Sequence, residues 1–128
     1  MQIHQSAEDY LETILMLTQR MGRVRSIDVV NELGYTKASV SIAMKKLREN
    51  GYIAVDGEGN LTLLEPGREI AERIYSRHRL LTHFFVQLGA DEEVAAEDAC
   101  KAEHILSEQT LEKFREYALL HDAQDSVK

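Results

Sequence analysis

Where glycine falls decides most of what this chain can become. Pro66 is the single proline, and of seven glycines Gly22, Gly34, Gly51 and Gly89 each stand where a run of apolar residues spaced three and four apart ends. That spacing lines one face of a helix, and a glycine just past it lets the backbone turn away. The chain is expected to be mainly helical. One stretch breaks the period. Tyr52-Ile53-Ala54-Val55 and Leu61-Thr62-Leu63-Leu64 flank Asp56-Gly57-Glu58-Gly59-Asn60, the pattern of a β-hairpin with a five-residue loop.

Ser6 with Asp9 reads as the cap of a first helix over residues 6–21, with Tyr10, Leu11, Ile14, Leu15, Leu17 and Met21 as its apolar stripe. Ser26 reads as the cap of a short second helix that turns Ile27, Val30 and Leu33 inward and stops at Gly34. A third runs from Lys37 to Asn50 and buries Val40, Met44 and Leu47. Pro66 suits the first turn of a long helix reaching Leu88, with Ile70, Ile74, Leu81, Phe84, Phe85 and Leu88 available to a core. Asp91 then caps a helix carrying Val94, Ala95, Ala99, Ala102, Ile105 and Leu106, and Ser107 opens a last one with Leu111, Phe114 and Leu119 before a frayed tail from His121. The fold class expected is mainly α: an N-terminal winged helix-turn-helix with one β-hairpin over residues 1–65, then an all-helical domain over 66–128.

A length of 128 residues, 44% of them apolar and 29% charged, suits a folded domain rather than a disordered chain. Leu80 to Leu88 is the longest near-apolar stretch; it is interrupted by Thr82, His83 and Gln87 and is too short to span a membrane. The start lacks a basic segment followed by an apolar one, so a cytoplasmic location is expected. Cys100 is the only cysteine, which excludes an intrachain disulfide. The net charge of −7 is uneven: residues 1–64 hold 7 Lys/Arg against 8 Asp/Glu, and residues 65–128 hold 8 against 14. A surface for a polyanion therefore belongs to the first half, and the acidic second half suits cations.

SIDVVNELGYTKASVSIAMKKLRENGYI places two amphipathic helices around a tight glycine-containing turn, the arrangement that presents a second helix to a DNA groove. Thr36, Lys37, Ser39, Ser41, Lys45, Lys46 and Arg48 are the candidate DNA contacts, small hydroxyls for close approach and cations for phosphates. Between Lys37 and Arg48 there are four positive charges and no negative one. Ile42 interrupts that polar face, and Asp56 and Glu58 at the hairpin tip oppose phosphates. The competing reading is a winged-helix interaction module without DNA binding.

In the acidic half, Cys100, Glu103 and His104 stand at i, i+3 and i+4 and fall within ~100° of arc on a helix, where a thiolate, a carboxylate and an imidazole can converge on one ion. The first helix adds Asp9 and Glu12, ~60° apart, and the long helix adds His78. Each has a plainer reading: helix-terminal acids for Asp9 and Glu12, a small buried hydrophobe for Cys100, a solvated histidine for His78 between Arg77 and Arg79. His4, His83 and His121 have no companions at ligand spacing, and Glu97 ranks below the six as a supporting group. Cys100 and His104 as nucleophile and base lack an oxyanion-donating loop or an orienting partner, so no enzyme is expected. Leu111, Phe114, Tyr117 and Leu119 offer more apolar surface than a terminal pair of helices can bury, which marks them for dimerisation.

DACKAEHILS, from Asp98 to Ser107, resembles the metal-binding helix of the diphtheria-toxin-repressor family of metal-dependent bacterial repressors. SAEDYLETI is similar to that family's first helix, and SRHRLL, from Ser76 to Leu81, fits its pattern as well. The resemblance covers residues 4–120 and follows the shorter manganese-regulator branch, which lacks a third, SH3-like domain. It implies that Asp9, Glu12, His78, Glu103 and His104 are metal ligands, with Cys100 where that branch has a bridging glutamate. A cysteine there is similar to the iron-sensing branch, but Asp9 replaces that branch's methionine, and Thr82 and Ala96 replace its ancillary ligands. The implied protein is a homodimeric repressor of metal-uptake genes, activated by Mn²⁺ or Fe²⁺, with Zn²⁺, Co²⁺ or Ni²⁺ as surrogates. Its partner would be palindromic double-stranded operator DNA, with no membrane and no organic cofactor involved.

Overall fold

A computed structural model of the chain describes residues 5–127, and side chains as far as His121; His4 lies outside the described residues. The element order is α1 (Gln5–Met21), α2 (Ser26–Leu33), α3 (Lys37–Glu49), β1 (Ile53–Val55), β2 (Leu61–Leu63), α4 (Glu65–Leu88), α5 (Glu92–Ala102) and α6 (Glu108–Val127). The chain divides into two compact units, Met1–Arg73 and Ile74–Lys128, so the boundary falls inside α4, eight residues beyond the expected one at 65. None of the described helices is long and apolar enough to cross a membrane.

In the first unit α1 packs against α2, α3 and β2. Its stripe of Tyr10, Leu11, Ile14, Leu15 and Leu17 is buried together with Val29, Val40, Met44, Leu47, Ile53, Leu61 and Leu63. Each such Leu, Ile or Val stabilises the unit by about 1.5–3 kcal/mol relative to exposure. β1 and β2 pair antiparallel in the register Ile53↔Leu63 and Val55↔Leu61, closing the five-residue loop Asp56–Asn60. The Leu61 N–H also donates to the Val24 carbonyl at 2.7 Å, fastening the wing to the strand-like link before α2.

Two expected caps sit elsewhere. Ser6 and Ser26 lie inside α1 and α2, and Arg25 is the N-cap residue of α2, its backbone N–H donating to Asp28 Oδ2 at 2.9 Å. Residues two apart on a helix are ~200° out of phase, so with Val29 turned fully into the core Ile27 faces solvent. Met21 and Leu88, in terminal turns, are also exposed, as is Val94. Thr36 does cap α3: its Oγ1 accepts from the Ser39 N–H at 3.1 Å. Gly34 ends α2 at φ 71°, in the left-handed region where glycine carries no Cβ penalty.

The wing tip is built around Asp56. Its Oδ1 accepts from the Glu58 and Asn60 N–H groups, each at 2.9 Å, and its Oδ2 from the Asn60 side-chain amide at 3.0 Å. Arg25 Nε donates to the Glu58 carbonyl at 3.0 Å and Arg25 Nη2 reaches the same oxygen. The Asn60 backbone bond, then its side-chain bond, hold the Asp56 carboxyl below the ordinary carboxylate range. With the folded value depressed, the stabilisation is complete above the unfolded value and disappears as pH falls through the folded one. In an NMR titration the Glu58 and Asn60 amides should therefore move together with a midpoint below that of an ordinary aspartate, and Asp56→Asn should remove the transition.

In the second unit Leu81, Ala99 and Leu111 form the fully buried centre, with Leu80, Phe85, Ala102, Leu106 and Phe114 around it. The small side chains of Ala95 and Ala99 turn that face of α5 inward. Phe84 meets Phe114 and Tyr117 edge-on, with ring centroids 4.8 Å and 5.7 Å away. Ser107 caps α6, its Oγ accepting from the Thr110 N–H at 3.2 Å. Helical backbone continues to Val127 where fraying was expected. Ile105, expected to face inward, lies beyond the end of α5 and is exposed, because its direction is no longer set by helix phase.

Candidate metal centre and nucleic-acid interface

His78 projects from α4 and Cys100 from α5, which ends at Ala102 rather than including Glu103 and His104. Glu103 is the C-cap residue, still helical at φ −60° and ψ −23°, and its N–H bonds back to the Ala99 carbonyl at 2.9 Å. The i, i+3 relation to Cys100 thus survives the end of the helix, and His104 begins the turn that follows. Glu103 has no exposed surface. Its Oε2 lies 3.1 Å from His78 Nδ1 and its Oε1 3.4 Å from His104 Nε2, so each carboxylate oxygen faces one imidazole. The His104 side chain is 1% exposed and that of His78 19%, whereas Cys100 is exposed.

A carboxylate taken wholly out of water needs compensating charge or hydrogen bonds. Two imidazoles and a carboxylate are also a donor set suited to first-row divalent metals, with imidazole binding in its neutral form. Two donors ~2.1 Å from one ion stand ~3.0 Å apart at octahedral and ~3.4 Å apart at tetrahedral angles, and the His78–Glu103 pair at 3.1 Å and the Glu103–His104 pair at 3.4 Å each have such a separation. The residues present fit a divalent cation.

In the first unit, Glu12 is buried and Asp9 half-buried on α1. Glu8 serves the first turn and pairs with Arg73 at 3.6 Å. Glu12, the eighth residue of the helix, is too far inside it for the helix-terminal role that the sequence left open, because that effect fades within a turn. Burial first, then the nearby Tyr35 and Asp9, raises the Tyr10 hydroxyl above its ordinary value.

Thr36, Lys37, Ser39, Ser41, Lys45, Lys46 and Arg48 are all exposed at the start or along the outer face of α3, and Ile42 is exposed among them. Thr36 and Ser39 also hydrogen-bond each other through their hydroxyls at 2.9 Å, so both shape the start of the helix. Of the residues assigned to dimerisation, Leu111 is corrected: it is fully buried in its own unit's core. Phe114 is half-buried, and Tyr117 and Leu119 are exposed. Arg25 at the wing and Arg77 beside His78 went unnoticed in the sequence. Their partners lie 33 and 26 residues away, beyond any local pattern, although Arg77 adjoins a candidate ligand.

A winged helix-turn-helix with an exposed cationic reader, followed by a helical unit burying a histidine–carboxylate cluster, defines a metal-responsive DNA-binding regulator. Residues 2–61 match the family model described as the iron dependent repressor N-terminal DNA binding domain, and residues 64–119 that of its metal binding and dimerisation domain. The chain belongs to the iron-dependent repressor family, which includes the DtxR and MntR regulators and is a family of transcriptional repressors, not enzymes. An uncharacterised HTH-type transcriptional regulator of Methanocaldococcus jannaschii is 36% identical, over 87% of this chain and 90% of that protein. The HTH-type transcriptional regulator MntR of Bacillus subtilis is 31% identical, over 96% of this chain and 87% of that protein. A solved manganese-dependent transcriptional repressor in complex with manganese superposes with a TM-score of 0.77 at 28% identity. That match covers 84% of this chain and 50% of that one, so the chain spans about half the length of that structure.

Proposed function

We propose that this repressor is switched by Mn²⁺ or Fe²⁺, that Asp9, Glu12, His78, Cys100, Glu103 and His104 hold the ion, and that the metal-loaded homodimer binds a palindromic operator controlling metal-uptake genes. The observation that carries the reading is the fully buried Glu103 carboxylate set between His78 and His104. The relatives named for manganese favour Mn²⁺, whereas a thiolate from Cys100 raises relative affinity for Fe²⁺ and for Zn²⁺, Co²⁺ and Ni²⁺ as surrogates. A divalent ion held by these six residues would supply two positive charges against the three carboxylates of Asp9, Glu12 and Glu103.

Within the first unit, α1 is packed through Leu11, Ile14 and Leu15 into the core shared with α3. Any restraint on Asp9 and Glu12 is therefore felt by the reader as a rigid-body displacement. In a two-fold dimer the paired readers must stand about 34 Å apart, one turn of DNA, so a small displacement changes operator affinity strongly. Tyr117 and Leu119 on α6, with Leu120 beside them, supply exposed apolar surface suited to the dimer contact.

The test is a titration of chelator-treated protein with Mn²⁺ or Fe²⁺ under anaerobic, reducing conditions, read as fluorescence anisotropy of operator DNA. Affinity should be weak without metal and rise with it, and by linkage operator DNA should tighten metal binding by the same factor. An affinity unchanged by chelation would overturn the proposal.

A further inference from the structure

Arg77, one residue before His78 on α4, is the most deeply placed arginine among the described residues of the second unit. Its side chain is 11% exposed. Nη1 donates to the main-chain carbonyl of Glu103 at 3.2 Å, and Nη2 pairs with Glu108 Oε1. The Glu103 carbonyl closes α5, where carbonyls run out of partners further along the helix, and Glu108 opens α6, where a carboxylate suits the helix N-terminus. One planar guanidinium, whose donors point in fixed directions, thereby spans both ends of the turn that carries Glu103 and His104.

We infer that Arg77 is a positioning residue for the metal site: Arg77 fixes the backbone of Glu103 while its neighbour His78 faces the same residue's carboxylate at 3.1 Å. Consecutive helix residues project ~100° apart, so the two grip Glu103 from different sides. Without Arg77 the carboxylate could swing with the turn, and the donors would have to be ordered at the moment of binding. The inference rests on the reading of Glu103 and His104 as ligands.

The experiment uses the full chain and compares Arg77→Gln, Arg77→Lys and Glu108→Gln with the parent. Mn²⁺ affinity is read in the absence of DNA by the electron paramagnetic resonance of the free ion, alongside hydrogen exchange of the Ile105 and Leu106 amides in metal-free protein. Groups supporting metal ligands typically contribute 10–100-fold to affinity, so Arg77→Gln should weaken Mn²⁺ binding by about 10-fold or more and speed exchange in the turn. Arg77→Lys should recover part of the loss, since an ammonium lacks the fixed fork, and Glu108→Gln should shift both readouts the same way but less. If Arg77→Gln fails to fold, the other two variants decide. A lowered melting temperature with unchanged Mn²⁺ affinity would make Arg77 merely structural and overturn the inference. If the parent binds no Mn²⁺, the ligand reading falls and takes this role of Arg77 with it, whereas a parent that binds and variants that bind equally well sink the role of Arg77 alone.

Discussion

Glu103→Gln is expected to abolish metal-stimulated operator binding, with metal affinity reduced by more than about 100-fold, beyond the range seen when only a ligand's supporting partner is lost. Glutamine keeps the volume of the side chain in a site with no exposed surface, so packing around it should persist. What changes is charge and hydrogen bonding: a neutral amide replaces a carboxylate whose two oxygens face His78 and His104. Mn²⁺ titrations followed by anisotropy of operator DNA, with circular dichroism to confirm folding, check the result. A folded Glu103→Gln protein that still responds to Mn²⁺ with parental affinity would remove the central carboxylate from the mechanism.

Gly67→Ala should cost the first unit about 2–3 kcal/mol, a fall on the order of 10–20 °C in its thermal midpoint. A Cβ at this position in the first turns of α4 would overlap the Tyr52 carbonyl oxygen, lie 3.0 Å from its carbon and come within 3.4 Å of Leu11 Cδ2. Alanine ordinarily gains about 1 kcal/mol over glycine in a helix, but a clash with backbone cannot be relieved by a rotamer change, and it wins. Gly57→Ala is the control, because a Cβ there meets nothing within 4 Å. Thermal melts of both variants beside the parent decide it; equal melting temperatures for Gly67→Ala and Gly57→Ala would mean that α4 shifts freely against Tyr52.

Periodicity and turn chemistry carried the sequence reading furthest. The five-residue hairpin loop, the stops at Gly34 and Gly89 and the buried set of Val40, Met44 and Leu47 are local features, dictated by residues within a turn or two of one another. Helix starts were less legible, since serine competes with ordinary backbone capping: Ser107 caps its helix, but Ser6 and Ser26 do not. In the candidate site, the spacing of Cys100, Glu103 and His104 was visible although α5 ends before the last two. Taken by itself the basic run Arg77-His78-Arg79 has a solvated histidine as its plainer reading, yet two of its members are largely enclosed because α5 and α6 come back against them. Gly67 was silent for the same reason: its meaning lies in Tyr52, brought near only by folding.

The wing tip separates its path from its surface chemistry. Arg25 grips the main-chain oxygen of Glu58, and Asp56 takes the main-chain N–H groups of Glu58 and Asn60, so neither residue 57 nor the side chain of residue 58 enters the bonds that shape the loop. Those two positions can drift through many amino acids, changing the charge and bulk the tip presents, while the bonds under them stay as they are. Arg25, Asp56 and Asn60 have no such licence.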